Sequence, residues 1–279
     1  MDFLDLRARA VAGGVLAGLV CPMLATGVAA QQKASPPDFS SGEVGWIPIG
    51  NDFIAVPGGP QPVTFDPRHP YVPNGTGGQP TYRIADLSNP NLKPWVKERM
   101  KKDNDEVLAG KIAFTARSSC NPAGVPAFMI YSRFDPIYFI QTPKQVRMIF
   151  AGDAQVRRVS LDVPHSEHPK TSWYGESVGH YDGDTLVVDT IGQSTKSFVD
   201  NYRTPHTEKL HVIERWKLID DGKTLEVNIR VTDPDTFYEP WSAIQRFRRV
   251  ELPMREEACA ENNQHLFDYQ MPVAAKPDF

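Results

Sequence analysis

The stretch that decides the fold is GESVGHYDGDTLVVDT, residues 175–190. Two segments of alternating apolar and polar residues are joined by Asp182-Gly183, a dipeptide typical of a tight β-hairpin turn. Centring a two-residue loop on this dipeptide places His180 opposite Thr185, and cross-strand partners share a face. The residues that this register assigns to one face are Glu176, Val178, His180, Thr185, Val187 and Asp189.

That face mixes ionisable groups with valines. An exposed strand surface has no need of the valines, and a core surface excludes unpaired charge. We therefore predict a cavity wall on which Glu176 or Asp189 orients His180 for acid–base chemistry. The alternative is a solvent-facing strand surface with scattered polar residues. A three-residue loop would change the register, and these residues would then no longer share one face.

The period-two alternation extends along the chain from residue 111, and turn signals such as Asp221-Gly222 separate its segments. About eight short antiparallel strands predict a mainly β domain over residues 111–279. We expect a meander closed into a barrel or a strongly curved sheet, with room inside for one small ligand. Besides the two halves of the opening stretch, the predicted strands are 128–132, 137–141, 145–151, 155–163, 209–218, 224–232 and 243–250.

Residues 31–110 are expected to form an arm and a helix packed on this domain. The part up to residue 90 is rich in proline, glycine and asparagine, which predicts irregular structure. The remainder, residues 91–110, predicts one helix that is capped by Asn91 and ends at Gly110.

Residues 1–30 are predicted to be a signal peptide. Arg7 and Arg9 precede an apolar run that ends at Val20, and Val28–Ala30 resembles a cleavage site. The alternative is a membrane anchor, but the run is short and interrupted by glycine and proline. We therefore expect a periplasmic or secreted bacterial protein without stable membrane insertion. Export would leave Cys120 and Cys259, which predicts a disulfide between them, with two buried thiols as the alternative.

Composition and motifs exclude several classes of protein. The formal net charge is −4 and no basic run is present, which excludes nucleic acid as a partner. The sequence contains no glycine-rich phosphate loop, dinucleotide fingerprint or nucleophile elbow. We therefore expect a small-molecule ligand or substrate and no cofactor.

The next predicted hairpin carries a second candidate. A four-residue loop at 220–223 places Glu214 opposite Ile229, within an otherwise apolar face that includes Trp216. An unpaired buried carboxylate is costly, so Glu214 should find a cation, and Arg157 lies on a comparable apolar face. A structural ion pair and a catalytic or ligand-clamping role both stay open.

The remaining histidines offer weaker candidates. His165 and His168, with two residues between them, are flanked by prolines and could bind a metal together with His180. Loop histidines are commonly surface residues, however, so no metal site is predicted. His206 at a barrel mouth could complete a site with His180, or could simply fix its loop.

Several motifs resemble a widespread family of uncharacterised exported bacterial proteins. The resemblance covers most of the chain after residue 30 and implies a single exported domain, but no particular reaction. Its motifs include WYGESVGHYDGDTLVVDTIG (173–192), VDNYRTPHTEKLHVIERWKL (199–218) and EEACAENN (256–263). The residues that it draws attention to are His180, Asp189, Asp200, His206, Glu214 and Trp241.

Two functions are compatible with these patterns. The first is a cofactor-independent lyase, isomerase or hydrolase that acts on a small, partly apolar molecule. The alternative is a periplasmic binding protein of barrel type, whose aromatic side chains line the ligand pocket. The predicted catalytic residues are His180, Glu176, Asp189 and Glu214. The predicted substrate-binding residues are Arg157, His206, Trp216 and Trp241.

Overall fold

The computed structural model describes only part of the chain. The described residues are 35–40, 43–69, 83–111, 120–132, 135–152 and 155–255. The predicted signal peptide, residues 1–30, and Cys259 lie outside them. The signal peptide and the Cys120–Cys259 disulfide therefore stay predictions.

The described residues form ten strands, nine of which close into a barrel. The strands are β1 (Val44–Pro48), β2 (Ile54–Ala55), β3 (Ile137–Gln141), β4 (Gln145–Phe150), β5 (Gln155–Leu161), β6 (Glu176–Asp182), β7 (Thr185–Ile191), β8 (His211–Ile219), β9 (Thr224–Thr232) and β10 (Trp241–Glu251). Strand β1 pairs with β3 on one side and with β10 on the other, which closes the ring. The short β2 pairs with β10 alone. The predicted mainly β barrel is confirmed.

Strand β1 lies in the segment that was predicted to be irregular. All five of its residues are buried, and each pairs with a residue of β10. A Cβ at Gly45 would lie 2.7 Å from the Cβ of Pro136, so this close approach requires glycine. The prediction for residues 31–90 was wrong here, because a short strand that contains glycine and proline does not show the alternation of a longer one.

Strands β5 and β6 run parallel, although an antiparallel arrangement was predicted throughout. Parallel neighbours cannot be joined by a tight hairpin and need a crossover connection. Residues 162–175 form this connection, which we call the crossover segment. The segment carries His165 and His168, so the parallel pair determines where these two histidines lie.

The barrel interior is a packed hydrophobic core. Trp216 lies at its centre and is fully buried, with its ring 5.7 Å from Phe247 and 5.6 Å from Phe139. Phe128 also enters this cluster, from a 3₁₀ turn at Ala127–Met129. The strand predicted at 128–132 was wrong, because these apolar residues are buried by the turn rather than by strand pairing.

Helix α1 spans Pro94–Leu108 and confirms the predicted helix. Asn91 does not cap it: the N-cap is Lys93, and no side chain caps the helix. The Asn91 side chain instead exchanges two hydrogen bonds with the backbone of Glu239, at 2.9 Å each. Gly110 follows the helix end with a φ of 86°. Among the described residues, no helix is both long enough and apolar enough to cross a membrane.

Candidate functional site

The β6–β7 hairpin has a different register from the predicted one. Asp182 pairs with Thr185, and His180 pairs with Val187, two residues beyond the predicted partner. Gly183 has a φ of 62° whereas Asp184 does not have a positive φ, which is the pattern of a type II′ turn with glycine first. The predicted turn was wrong, but an even shift preserves the faces, so Glu176, His180 and Asp189 share one face as expected.

This shared face is the outer face of the barrel, not a wall of its interior. His180 is exposed, and Glu176 and Asp189 are half-buried. The opposite face carries Ser177, Leu186, Val188 and Thr190, all of which are buried. The predicted catalytic residues therefore do not share one site, because the sheet separates His180 from the buried Glu214.

The crossover segment lies on this outer face and inserts His165 between two carboxylates. His165 Nδ1 lies 3.0 Å from Glu176 Oε1, and His165 Nε2 lies 3.0 Å from Asp189 Oδ1. Each ring nitrogen therefore lies within hydrogen-bonding distance of one carboxylate oxygen. His165 thus connects strands β6 and β7 and anchors the crossover segment to them.

Glu176 is held by the crossover segment as well. The Ser166 backbone N–H donates to Oε1 at 2.8 Å, and the Ser166 hydroxyl donates to Oε2. These hydrogen bonds, with a smaller contribution from His165, lower the pKa of Glu176. The ionised carboxylate is thereby fixed in orientation.

Asp189 connects this pair to His211 on β8. His211 Nε2 lies 2.8 Å from Asp189 Oδ1. Burial opposes ionisation of Asp189, but the hydrogen bonds from His211 and His165 outweigh it and lower the pKa of this carboxyl. The hydrogen bond to Asp189 raises the pKa of His211. Within the part of the chain that the structure describes, His211 Nδ1 has no partner.

A depression of about 150 Å³ lies beside Asp189 on the same face. Val178 and Val187 give it an apolar floor, and His180 borders it. The His180 ring makes no hydrogen bond with any described residue. His180 thus borders a small surface depression, although it does not contact either predicted carboxylate partner.

Arg157 and Glu214 form the predicted buried ion pair inside the barrel. Arg157 NH1 donates to both Glu214 carboxylate oxygens, at 3.0 and 2.8 Å, and NH2 donates to Thr190 Oγ1 at 2.8 Å. Trp216 Nε1 donates to Glu214 at 3.1 Å. Burial raises the pKa of Glu214, and Arg157 opposes that effect. Both charges are sealed in the core, so neither can contact a ligand as predicted.

The other predicted binding residues are also internal. Trp216 and Trp241 are buried, so they are core residues rather than the lining of a ligand pocket. His206 is buried, and its Nε2 lies 2.9 Å from Ser197 Oγ, so it does not join His180. Asp200 is buried and accepts a hydrogen bond from Thr204 Oγ1 at 2.6 Å; burial raises its pKa to about 6.

The sequence analysis missed the roles of His165 and His211. His165 was a candidate only as a metal ligand, and His211 was not among the predicted site residues. No group of three or more His, Cys, Asp or Glu within the described ranges is placed to hold a metal ion. The alternation of β8 places His211 on the outer face, so pairing β8 with β7 could have located it next to Asp189.

Comparisons with known proteins add no further constraint. No family model, no curated protein and no solved structure matches this chain. The resemblance to an exported bacterial family therefore stays a prediction.

Proposed function

We propose that this protein is a cofactor-independent acid–base enzyme, a lyase, isomerase or hydrolase, whose site lies on the outer face of β6–β8. One observation carries the proposal: the continuous series of contacts from Glu176 through His165 and Asp189 to His211. The series ends in an imidazole nitrogen that has no partner among the described residues. Such a nitrogen is free to exchange a proton with a substrate.

In the proposed mechanism, His211 is the general base. Its Nε2–H donates to Asp189, which leaves the lone pair of Nδ1 to accept a proton from the substrate. Asp189 then stabilises the imidazolium, which can return the proton to the product. His165 helps keep Asp189 ionised and oriented, and Glu176 in turn holds His165, since each nitrogen of His165 lies 3.0 Å from one of the two carboxylates.

The neighbouring depression supports a small, partly apolar substrate. Its valine floor favours apolar groups, while Asp189 and His180 supply polar contacts at its edge. Its volume of about 150 Å³ is below the range of roughly 300–1,000 Å³ that is usual for drug-sized ligands. We therefore propose that only a small part of the substrate enters it.

The exported location remains part of the proposal and depends on residues 1–30. Expression of the full chain in a bacterium and N-terminal sequencing of the periplasmic protein would test it. A mature protein that begins at Gln31 supports export, whereas retention of Met1 in the cytoplasm would oppose it.

Untargeted mass spectrometry tests the proposed activity. The protein is incubated with a mixture of small metabolites, and wild type is compared with Asp189→Asn and with His69→Gln, a histidine outside the cluster. We expect a compound that wild type and His69→Gln consume and that Asp189→Asn consumes at least about 10-fold more slowly. Equal consumption by Asp189→Asn would refute the mechanism. A compound that is retained but never changed would favour the alternative, a small-molecule binding protein.

A further inference from the structure

A second depression, of about 470 Å³, lies between strand β5 and the crossover segment. We call it the basic groove. Its lining includes Arg158, His168, Lys170, Ser160, Ser166 and Glu176. Glu176 both lines the groove and contacts His165 of the proposed acid–base site. A ligand in the groove would therefore lie beside that site.

The basic residues of the groove have no partner among the described residues. Arg158, Lys170 and His168 are exposed, and none of them forms a hydrogen bond or an ion pair through its side chain with a described residue. By contrast, Arg215 and Lys217 on the outer face of β8 each bind a carboxylate, at 2.8 and 3.0 Å. The groove therefore presents cations whose hydrogen-bonding capacity is unused.

A second observation comes from the neighbouring strand. Arg147 on β4 lies directly opposite Arg158 on β5, and both side chains are exposed on the outer face. Arg147 donates to the neutral Gln145 side chain at 3.1 Å rather than to a carboxylate. Like charges directly opposite each other destabilise a sheet. An anion bound beside this pair would offset the repulsion.

The one carboxylate in the lining does not cancel this positive charge. Glu176 accepts hydrogen bonds from the Ser166 backbone and hydroxyl, and His165 Nδ1 lies 3.0 Å from its Oε1. Both of its oxygens are thus engaged by the crossover segment. Arg158 and Lys170 are left as the dominant charges facing the groove.

We infer that the basic groove binds an oxyanion group, a carboxylate, phosphate or sulfate, of a small-molecule substrate. Arg158 and Lys170 hold the oxyanion, and Ser160 offers a hydroxyl donor beside it. That this ligand is the substrate rests on the proposed function. The binding site itself does not depend on catalysis.

Titration with inorganic phosphate at constant ionic strength, followed by NMR of backbone amides and of the His168 ring, tests the inference. We expect saturable shifts confined to the groove. Arg158→Gln and Lys170→Gln should each weaken phosphate binding roughly 10-fold, the loss typical of one charge-assisted hydrogen bond. Lys223→Gln, which removes an equal charge from the β8–β9 turn, should leave the affinity unchanged. If all three variants weakened phosphate binding equally, the binding would depend on net charge alone, and the inferred site would be refuted.

Two further measurements distinguish failure of the small-molecule assignment from failure of the acid–base proposal. Vesicles that contain phosphatidylglycerol test a lipid headgroup as the oxyanion: binding to vesicles that Arg158→Gln abolishes, without any effect of free phosphate, would overturn the small-molecule assignment. Asp189→Asn should retain full phosphate affinity. If Arg158→Gln loses phosphate while Asp189→Asn keeps full turnover, the acid–base proposal fails and the oxyanion site stands.

Discussion

Strands β5 to β8 carry one polar cluster on each face, and the two clusters differ in their surroundings more than in their chemistry. Inside the barrel, Arg157 binds Glu214 in a setting where their side chains are 1% and 0% exposed. Outside, His165 binds Glu176 and Asp189, and its side chain is 22% exposed. Each cluster places a basic side chain within 3.0 Å of carboxylate oxygens on these strands.

Adjacent residues divide between the two clusters. Ser177 and Thr190 bind Arg157 in the core, whereas their neighbours Glu176 and Asp189 bind His165 outside. Strand alternation alone produces this division. The buried pair has no access to a ligand and its partners are fixed, so it is structural. The outer cluster is reachable and ends in a free imidazole nitrogen, so it is the one suited to chemistry.

The largest expected effect comes from breaking the interior pair. Arg157→Met leaves the Glu214 carboxylate buried without its cation, and should reduce the free energy of unfolding by about 3–5 kcal/mol. The measurement is urea unfolding of wild type and variant at the same pH. Arg158→Met, the adjacent residue on the outer face, is the matched control and should change stability by no more than about 0.5 kcal/mol. Similar losses from both variants would contradict the assigned faces.

The next effect should fall on activity rather than stability. Once a substrate is known, His211→Gln removes the proposed base and should lower turnover by about 100-fold, equivalent to about 2.7 kcal/mol of transition-state stabilisation. Its free energy of unfolding should stay within about 1 kcal/mol of wild type, because the ring is partly exposed. Full turnover by His211→Gln would remove this histidine from the mechanism.

Local pairing was predictable from sequence wherever turn and alternation agreed. Every predicted β8–β9 pair is observed, including Glu214 with Ile229. The faces of the β6–β7 hairpin were also correct despite the wrong register, because side chains repeat every two residues. The pairing and the faces of a hairpin depend only on residues that are close together in the chain. They can therefore be predicted from a single sequence.

The sequence did not predict which face of the β6–β7 hairpin lies inside the barrel. The outer face contains Val178 and Val187, and the inner face contains Leu186 and Val188 together with Ser177, so their apolar content is similar. Closure of the barrel determines which face of the hairpin points inward. This closure depends on β1, a strand that was not predicted from the sequence. The place of His165 depends in turn on the parallel β5–β6 pair. Long-range pairing of this kind leaves no local signal.

The coupling between Asp189 and His211 should depend on pH. The pKa of His211 is raised and that of Asp189 is lowered, so the ion pair contributes stability between these two pKa values. Its contribution is full below the unfolded pKa of histidine, about 6.5, and is lost as the pH rises through the raised folded value. A double-mutant cycle with Asp189→Asn and His211→Gln should give at most about 1 kcal/mol at pH 5.5 and close to zero at pH 9. A coupling that grows with pH would contradict this assignment.

The smallest effect on global stability should come from His165→Ala. The ring makes two partly exposed contacts, each worth up to about 1 kcal/mol, so the unfolding midpoint should change little. These contacts anchor the crossover segment, however, so the amides of residues 162–175 should exchange with solvent faster than in wild type. Hydrogen exchange with mass spectrometry measures this directly. His168→Ala is the matched control, since His168 lies in the same segment and binds no described residue, and it should leave exchange unchanged. If both variants accelerate exchange equally, His165 does not anchor the segment, and the outer cluster loses the fixed geometry that distinguishes it from an ordinary solvated surface.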